Sequence, residues 1–265
     1  MPELPEVEAA RKEAMRRLQG RRIVAASCLD DEIVLDGGSP RAIEKALRGA
    51  TIVDSGRHGK HLWFELDRKP WPLFHFGMTG GFHYRDEGEP APRFLKLDLA
   101  LDNGRRFAFT DPRRFGRLRL AREPRNESPL RGLGPDPLHG LPPLRELADQ
   151  LARRHAPIKA VLLDQTVFAG VGNWIADEVL YQAKLRPDRA TSSLSRAEVA
   201  TLRSTLLAII RRAVSVDADA DRFPRTWLFH RRWGRVANST TARGEAIVHH
   251  TIGGRTTAWV PTRQR

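Results

Sequence analysis

The sequence predicts an α+β chain of several domains: an N-terminal sandwich of antiparallel sheets, a helical domain and a short basic β-like tail. Three observations carry that prediction. From Arg21 to about Ala121 apolar residues recur at every second position, the period of a half-buried strand. Residues 122–143 are rich in Pro and Gly, as in Gly132-Leu133-Gly134-Pro135-Asp136-Pro137, and read as a linker. Beyond them the period returns to 3.6, until the tail becomes β-like from about Trp227 to Trp259. The expected boundaries are 1–121, 122–143, 144–226 and 227–265. At 265 residues the chain is long enough for two domains and a substantial core.

The elements follow in order. Val7, Ala10, Ala14 and Leu18 share one helical face, and Gly20 is placed as the stop. Ile23 to Ser27, Leu62 to Leu66 and Leu73 to Phe76 read as strands. Leu95, Leu97, Leu99 and Leu101 alternate with Lys96, Asp98 and Ala100. A turn at Asp102-Asn103-Gly104 leads into Phe107 and Phe109, and Leu118 and Leu120 continue the pattern. Leu144, Leu147 and Leu151 form an amphipathic face. Pro157 to Gln165 reads as a short helix, Gly170-Val171-Gly172 as a double turn, and Asn173 opens a second helix. Ser195-Arg196-Ala197-Glu198 has the form of a capping box, before a helix carrying Val199, Leu202, Leu206, Ile209 and Ala213.

Lys and Arg number 45 against 32 Asp and Glu, a net charge of +13, which points to a polyanionic partner, nucleic acid ahead of a membrane surface. No apolar run approaches a membrane span and no signal-peptide segment opens the chain, so an intracellular (cytoplasmic) protein is expected. Cys28 is the only cysteine, which excludes a disulfide framework and a Cys-based zinc site.

The chemistry starts at Met1-Pro2-Glu3-Leu4-Pro5-Glu6-Val7-Glu8. Removal of Met1 leaves Pro2 as a secondary amine, with an ordinary α-amino pKa of roughly 7.7 to 8. Attack on a sugar C1′ by such an amine yields a cationic iminium, an electron sink, and Glu3 stands beside it as a general acid or base. The alternative is plain helix opening, since Pro and acidic residues suit a first turn. The Gly170-Val171-Gly172-Asn173 turn would present amides to an anion, or would be an ordinary hairpin with Asn173 as N-cap. Thr110-Asp111-Pro112-Arg113-Arg114-Phe115-Gly116 places two guanidiniums and an aromatic on a tight loop, suited to an unpaired base and a vacated stack, with Met78 as a second filler. Surface turn chemistry is the alternative for both loops. Gly253-Gly254-Arg255 suits a hairpin offering a guanidinium to phosphate. Arg231, Arg232 and Arg235 interleave with Phe229 and Trp233, as in nucleic-acid surfaces or protected edges. Asp217, Asp219 and Asp221 lack the Gly and Glu of a calcium loop, and His249-His250 and His58/His61 lack partners at ligand spacing, so no metal and no cofactor is expected.

Together these motifs resemble the formamidopyrimidine-DNA glycosylase and endonuclease VIII family of base-excision repair enzymes. The resemblance runs through Pro2 to Glu8, Gly59-Lys60-His61, His75-Phe76-Gly77-Met78, Asp111 to Gly116, Gly132 to Leu138, Gly170 to Asn173, and Arg255. It implies a β-sandwich, a helix–two-turns–helix domain and a finger, with damaged double-stranded DNA in the cleft between. Single-stranded or bubble DNA stays an open alternative, no membrane is involved and a monomer is expected. By position, Pro2 would be the Schiff-base nucleophile and Glu3 the acid/base at the sugar. Glu6 would line the base pocket. Lys60, His75, Asn173 and Arg255 would hold phosphates. Met78, Arg113 and Phe115 would fill the stack, with Arg113 facing the orphaned base. The implied reaction is glycosidic cleavage followed by β- and δ-elimination.

Most bacterial members carry four zinc-binding cysteines in the finger. Here there are none, so the segment resembles the zincless finger, with Trp233, Val248 and Trp259 expected to supply replacement packing. The stretch from Ala213 to Arg235 is short, and Leu228-Phe229-His230-Arg231 resembles the endonuclease VIII side, whereas Leu4 is the formamidopyrimidine-side residue. The rival functions are a DNA-binding module without catalysis, recognising damage or abasic sites, and an RNA-associated basic protein.

Overall fold

The computed structural model describes residues 1–233 and 239–265, and the chain forms two compact units. One comprises Met1–Pro2 and Glu6–Gly132, the other Glu3–Pro5 and Leu133–Arg265.

The first unit contains most of helix α1 (Leu4–Leu18), strand β1 (Ile23–Cys28), helix α2 (Pro40–Leu47), and strands β2 (Ile52–His58), β3 (His61–Leu66), β4 (Trp71–His75), β5 (Gly81–Asp86), β6 (Leu95–Leu101), β7 (Arg105–Thr110) and β8 (Arg117–Ala121). They form two four-stranded antiparallel sheets, ordered β1-β6-β7-β5 and β2-β3-β4-β8. Phe64, Phe74, Phe107 and Phe109 are fully buried in the core, with Phe64 and Phe107 edge-to-face at 5.5 Å. This is the aromatic geometry that adds to area burial.

Three elements go beyond the sequence expectation. Helix α2 is capped by Ser39, whose side chain accepts the Ala42 N–H, and starts on Pro40. Strand β2 hides its period because Gly56 lies under the Trp63 ring, where a Cβ would be 2.0 Å from a ring carbon. Strand β5 is largely polar and half-buried. Strand β6 differs in a further way: its polar face is covered too, with Lys96 paired to Asp31 at 2.7 Å and Asp98 holding Arg85 at 2.9 Å. Residues 122–143 are more than a tether. They form 3-10 turns at Pro124–Asn126 and Leu130–Gly132 and bury Leu130, Asp136 and Leu141.

The second unit comprises α3 (Leu144–Ala152), α4 (Ile158–Leu163), α5 (Asn173–Gln182), α6 (Arg196–Ser215), and the antiparallel pair β9 (Val248–Ile252) and β10 (Arg255–Trp259). α5 is its axis, buried from Trp174 through Tyr181. α6 carries the predicted capping box: Ser195 accepts the Glu198 N–H at 3.3 Å, and Glu198 accepts the Ser195 N–H at 2.8 Å.

Two expectations about the tail are corrected. Among the described residues of the tail only β9 and β10 are strands, and Leu228–His230 is a 3-10 turn. The expected packing set is also different: Trp233 is 56 % exposed, stacked on the Arg232 guanidinium, and Val248 is half-buried. Trp259 is buried, but the hairpin's own apolar cluster is Ile247, Ala258 and Val260 with Tyr181 and Leu228. Arg235 lies outside the described residues.

Candidate functional site

In the second unit the site is built on the N-terminus of α5. Gly172 is the N-cap residue, and Asn173 is already helical. The amides that this terminus leaves open are taken by Glu3, whose Oε1 accepts the N–H of Trp174 at 2.9 Å and whose Oε2 accepts that of Ile175 at 3.2 Å. At these two amides the anion is Glu3 itself, 3 % exposed. A Cβ at Gly172 would lie 2.2 Å from the Glu3 Cδ, so glycine is what admits the carboxylate. The Leu4 N–H donates to Gly170 O at 3.0 Å and completes the anchoring of residues 3 to 5.

Asn173 is not the cap, so its side chain serves elsewhere. Its Nδ2 donates to Thr256 O at 2.9 Å in β10. Arg255 begins that strand, exposed after the turn at Gly253 (φ 59°) and Gly254 (φ 71°), two positive angles that favour glycine. Asn173 and Arg255 are thus brought together by one hydrogen bond to the residue beside Arg255.

In the first unit, Lys60 sits half-buried in the two-residue turn between β2 and β3, after Gly59 (φ 58°). The turn is held from beneath: the buried Arg57 donates to Gly59 O at 2.9 Å and to Glu8 at 2.9 Å. Burial works against the Glu8 carboxylate, but Arg11 and Arg57 outweigh it and hold Glu8 below the usual carboxylate range.

His75 pairs across the sheet with His61, ring centroids 4.7 Å apart. Burial, with Lys60 and Arg117 nearby, pulls His75 down to about 4, and burial with His75 pulls His61 to about 3. Nδ1 of His75 accepts the Gly77 N–H at 3.2 Å, which fixes a neutral ring with its proton on Nε2. Any phosphate contact by His75 is therefore a hydrogen bond without a charge.

Asp111 ties the loop of Met78 to the loop of Phe115. It accepts the Arg113 N–H at 3.2 Å, the Gly116 N–H at 2.6 Å and the Thr79 hydroxyl at 3.0 Å. The loops touch so closely that a Cβ on Gly77 would be 2.3 Å from the Phe115 carbonyl carbon. Phe115 is 48 % exposed and the Arg113 guanidinium stacks over it at 4.9 Å. Met78 is half-buried on the neighbouring turn. Arg114 is different: it lies at φ 57° and forks onto Asp31 at 2.9 Å, an anchor for the loop. Pro2 and Glu6 are half-buried in this unit, on either side of the residues that belong to the other.

Residues 1–118 match the formamidopyrimidine-DNA glycosylase N-terminal domain, and residues 133–224 match the formamidopyrimidine-DNA glycosylase H2TH domain. A formamidopyrimidine-DNA glycosylase of Arabidopsis thaliana is 41 % identical over 278 residues, spanning all of this chain and 71 % of that protein. One from Desulfitobacterium hafniense is 32 % identical over the full length of both. The chain belongs to the formamidopyrimidine-DNA glycosylase family. Among solved structures, the Lactococcus lactis glycosylase in complex with DNA containing N7-benzyl-Fapy-dG superposes with a TM-score of 0.88 at 26 % identity over both whole chains. The same enzyme with abasic-site DNA also gives 0.88 at 26 %, covering 99 % of each chain.

The finger segment, residues 227–265, contains no cysteine. Its one thiol, Cys28, lies in β1 of the sandwich. Among the described residues no group of three or more His, Cys, Asp or Glu is placed to hold an ion. Asp219 caps a 3-10 turn by accepting the Asp221 N–H, the local use of that acidic run. No helix among the described residues is long and apolar enough to cross a membrane. Sequence reasoning missed the supports, Arg57 with Glu8, the loop-knitting role of Asp111, and Lys159 with Asp177. A lone Lys159 inside the apolar run of α4 was the one signal that pointed to the last.

Proposed function

We propose that this protein is a metal-free bifunctional DNA glycosylase and abasic-site lyase that removes oxidised bases from damaged duplex DNA in base-excision repair. The observation that carries the reading is the fixed Glu3 carboxylate beside Pro2, in a chain of this family. With Met1 removed, the Pro2 nitrogen attacks C1′. The glycosidic bond breaks, its electron pair leaves with the base, and the base takes up a proton. Loss of the ring C–O bond then gives the iminium, and Glu3, held by two amides, relays the proton at the sugar. Removal of a C2′ proton expels the 3′ phosphate, and a second elimination expels the 5′ phosphate.

A base cannot be attacked inside the stack, so it is extruded. Met78, Arg113 and Phe115 occupy the hole, with Arg113 facing the orphaned base, and Glu6 lines the pocket of the extruded one. Lys60 and Arg255 contribute charge to the phosphates; His75 and Asn173 contribute N–H donors. A protein with this role acts in the cytoplasm, where its DNA is.

Borohydride trapping on duplexes bearing 8-oxoguanine, an oxidised pyrimidine or an abasic site tests the reading. Covalent complex with the abasic duplex is expected; in Pro2→Gly, which turns the secondary amine into a primary one, base removal should fall sharply while damaged DNA still binds. The faster of the two base lesions defines the substrate class. No trapping with any duplex, with Met1 shown by intact mass to be removed, would leave a DNA-binding protein without catalysis.

A further inference from the structure

The hairpin β9–β10 has five residue pairs, and a lone two-stranded hairpin is marginal in water. Its own apolar cluster is small. What fastens it to the helical core is a carboxylate. Asp177, in the middle of α5 and 1 % exposed, accepts the backbone N–H of Ala258 in β10 at 3.2 Å. It also accepts Arg232 Nε at 3.0 Å and Nη2 at 2.6 Å, and it pairs with the wholly buried Lys159 of α4. Lys159 donates a second bond, at 3.1 Å, to the carbonyl of Asn173. The Arg232 carbonyl in turn lies 3.3 Å from Nε2 of His249 in β9.

Two cations and one anion out of water are a poor route to stability, because desolvation consumes most of the attraction. Burial lowers the Lys159 pKa from its ordinary value, and Asp177 opposes that shift. The cluster does give directional bonds that reach both strands. Apolar contacts tolerate sliding of a strand; a forked guanidinium and a backbone amide on one carboxylate do not.

We propose that Asp177 is a positioning residue for DNA phosphate: by holding Arg232 and the Ala258 amide, it locks the hairpin onto α5 in the register that presents Arg255 beside Asn173. The role rests on the reading that this pair grips phosphate.

The test uses the full-length protein with Asp177→Asn and Arg232→Gln. Hydrogen exchange is followed on the free protein, and KM and the saturating rate are measured by trapping on an abasic duplex. Exchange across 248–259 should accelerate about tenfold or more while α6 keeps its protection. KM should rise by a similar factor, with the saturating rate within about twofold of the parent. If Asp177→Asn does not fold, Arg232→Gln decides, since it keeps the Lys159–Asp177 pair. Unchanged hairpin exchange, or a loosened hairpin with unchanged KM, overturns the proposal. Arg255→Ala separates the two readings. If it raises KM and Arg232→Gln does not, the positioning role fails alone; if Arg255→Ala leaves KM unchanged, the phosphate grip fails and takes the positioning role with it.

Discussion

Oε1 of Glu3 accepts the N–H of Trp174 at 2.9 Å, so the proposed acid/base residue is also the cap of the helix that carries Asn173. A helix terminus favours negative charge by roughly 0.3–1 kcal/mol at exposed sites and up to about 2 when partly buried. The terminus therefore suits a carboxylate at this place, and its two amides fix the direction of Glu3.

Glu3→Gln removes the charge and turns an NH2 toward backbone donors. It should lower the base-excision rate by about 10²–10⁴ while damaged DNA still binds. Gly172→Ala should approach the same rate defect without touching Glu3 chemically, because the new methyl occupies the carboxylate's place. Single-turnover excision on a lesion duplex checks both, and parental rates in Glu3→Gln would sink the proposed role.

Phe115 and Asp111 should separate cleanly. Phe115→Ala removes an exposed ring, so the melting temperature should hardly move, while affinity for lesion DNA falls by about 1–3 kcal/mol of lost stacking. Asp111→Ala deletes three hydrogen bonds from a buried carboxylate and should destabilise the sandwich by about 3 kcal/mol or more. Paired melting and binding curves decide it.

Burial raises Glu178 to about 7, against the bonds it accepts from Gln182 at 2.6 Å and from the Phe229 N–H at 2.8 Å. An acid raised in the fold holds its proton longer than in the unfolded chain, so stability falls as pH rises from about 4.5 to about 7 and is flat above. The full effect is at most about 3 kcal/mol. The difference in urea midpoint between the parent and Glu178→Gln should therefore change across that window and stay constant above it.

The histidine pair has the opposite sign. His75 and His61 are held neutral, at about 4 and about 3, below their ordinary value of 6.5. The unfolded chain binds their protons first, so stability is lost as pH falls below 6.5, down to those values. His61→Gln should shallow the acid limb of the stability curve. An unchanged limb would mean that the ring is not held neutral.

The sequence made the strands legible where period two is clean, as from Leu95 to Leu101, but not which faces would be covered. Lys96 and Asp98 are buried because of Asp31, Arg85 and Arg106, partners that a local window does not contain. Helix α2 had its signal in Ser39-Pro40, yet only Ile43 and Leu47 mark its apolar face. The motif residues of the proposed site stand out in the sequence because their types suit the proposed chemistry. The destinations of their side chains were not: Asn173 is directed by Thr256, and Glu3 by two amides more than 170 positions away.

The lone thiol has a further consequence. Cys28 is 8 % exposed, and burial, with Glu44 and Asp30 nearby, pushes it up to about 12, so it holds almost no thiolate near neutrality. A finger built on thiolates would be vulnerable to the oxidants that damage bases, whereas this hairpin is held by carboxylate, guanidinium and backbone. Peroxide should leave Cys28 unmodified and the hairpin in place, and the half-buried Met78 becomes the sulfur to watch. The bonds that fasten the hairpin to α5 contain no sulfur, so an oxidant finds nothing there to modify.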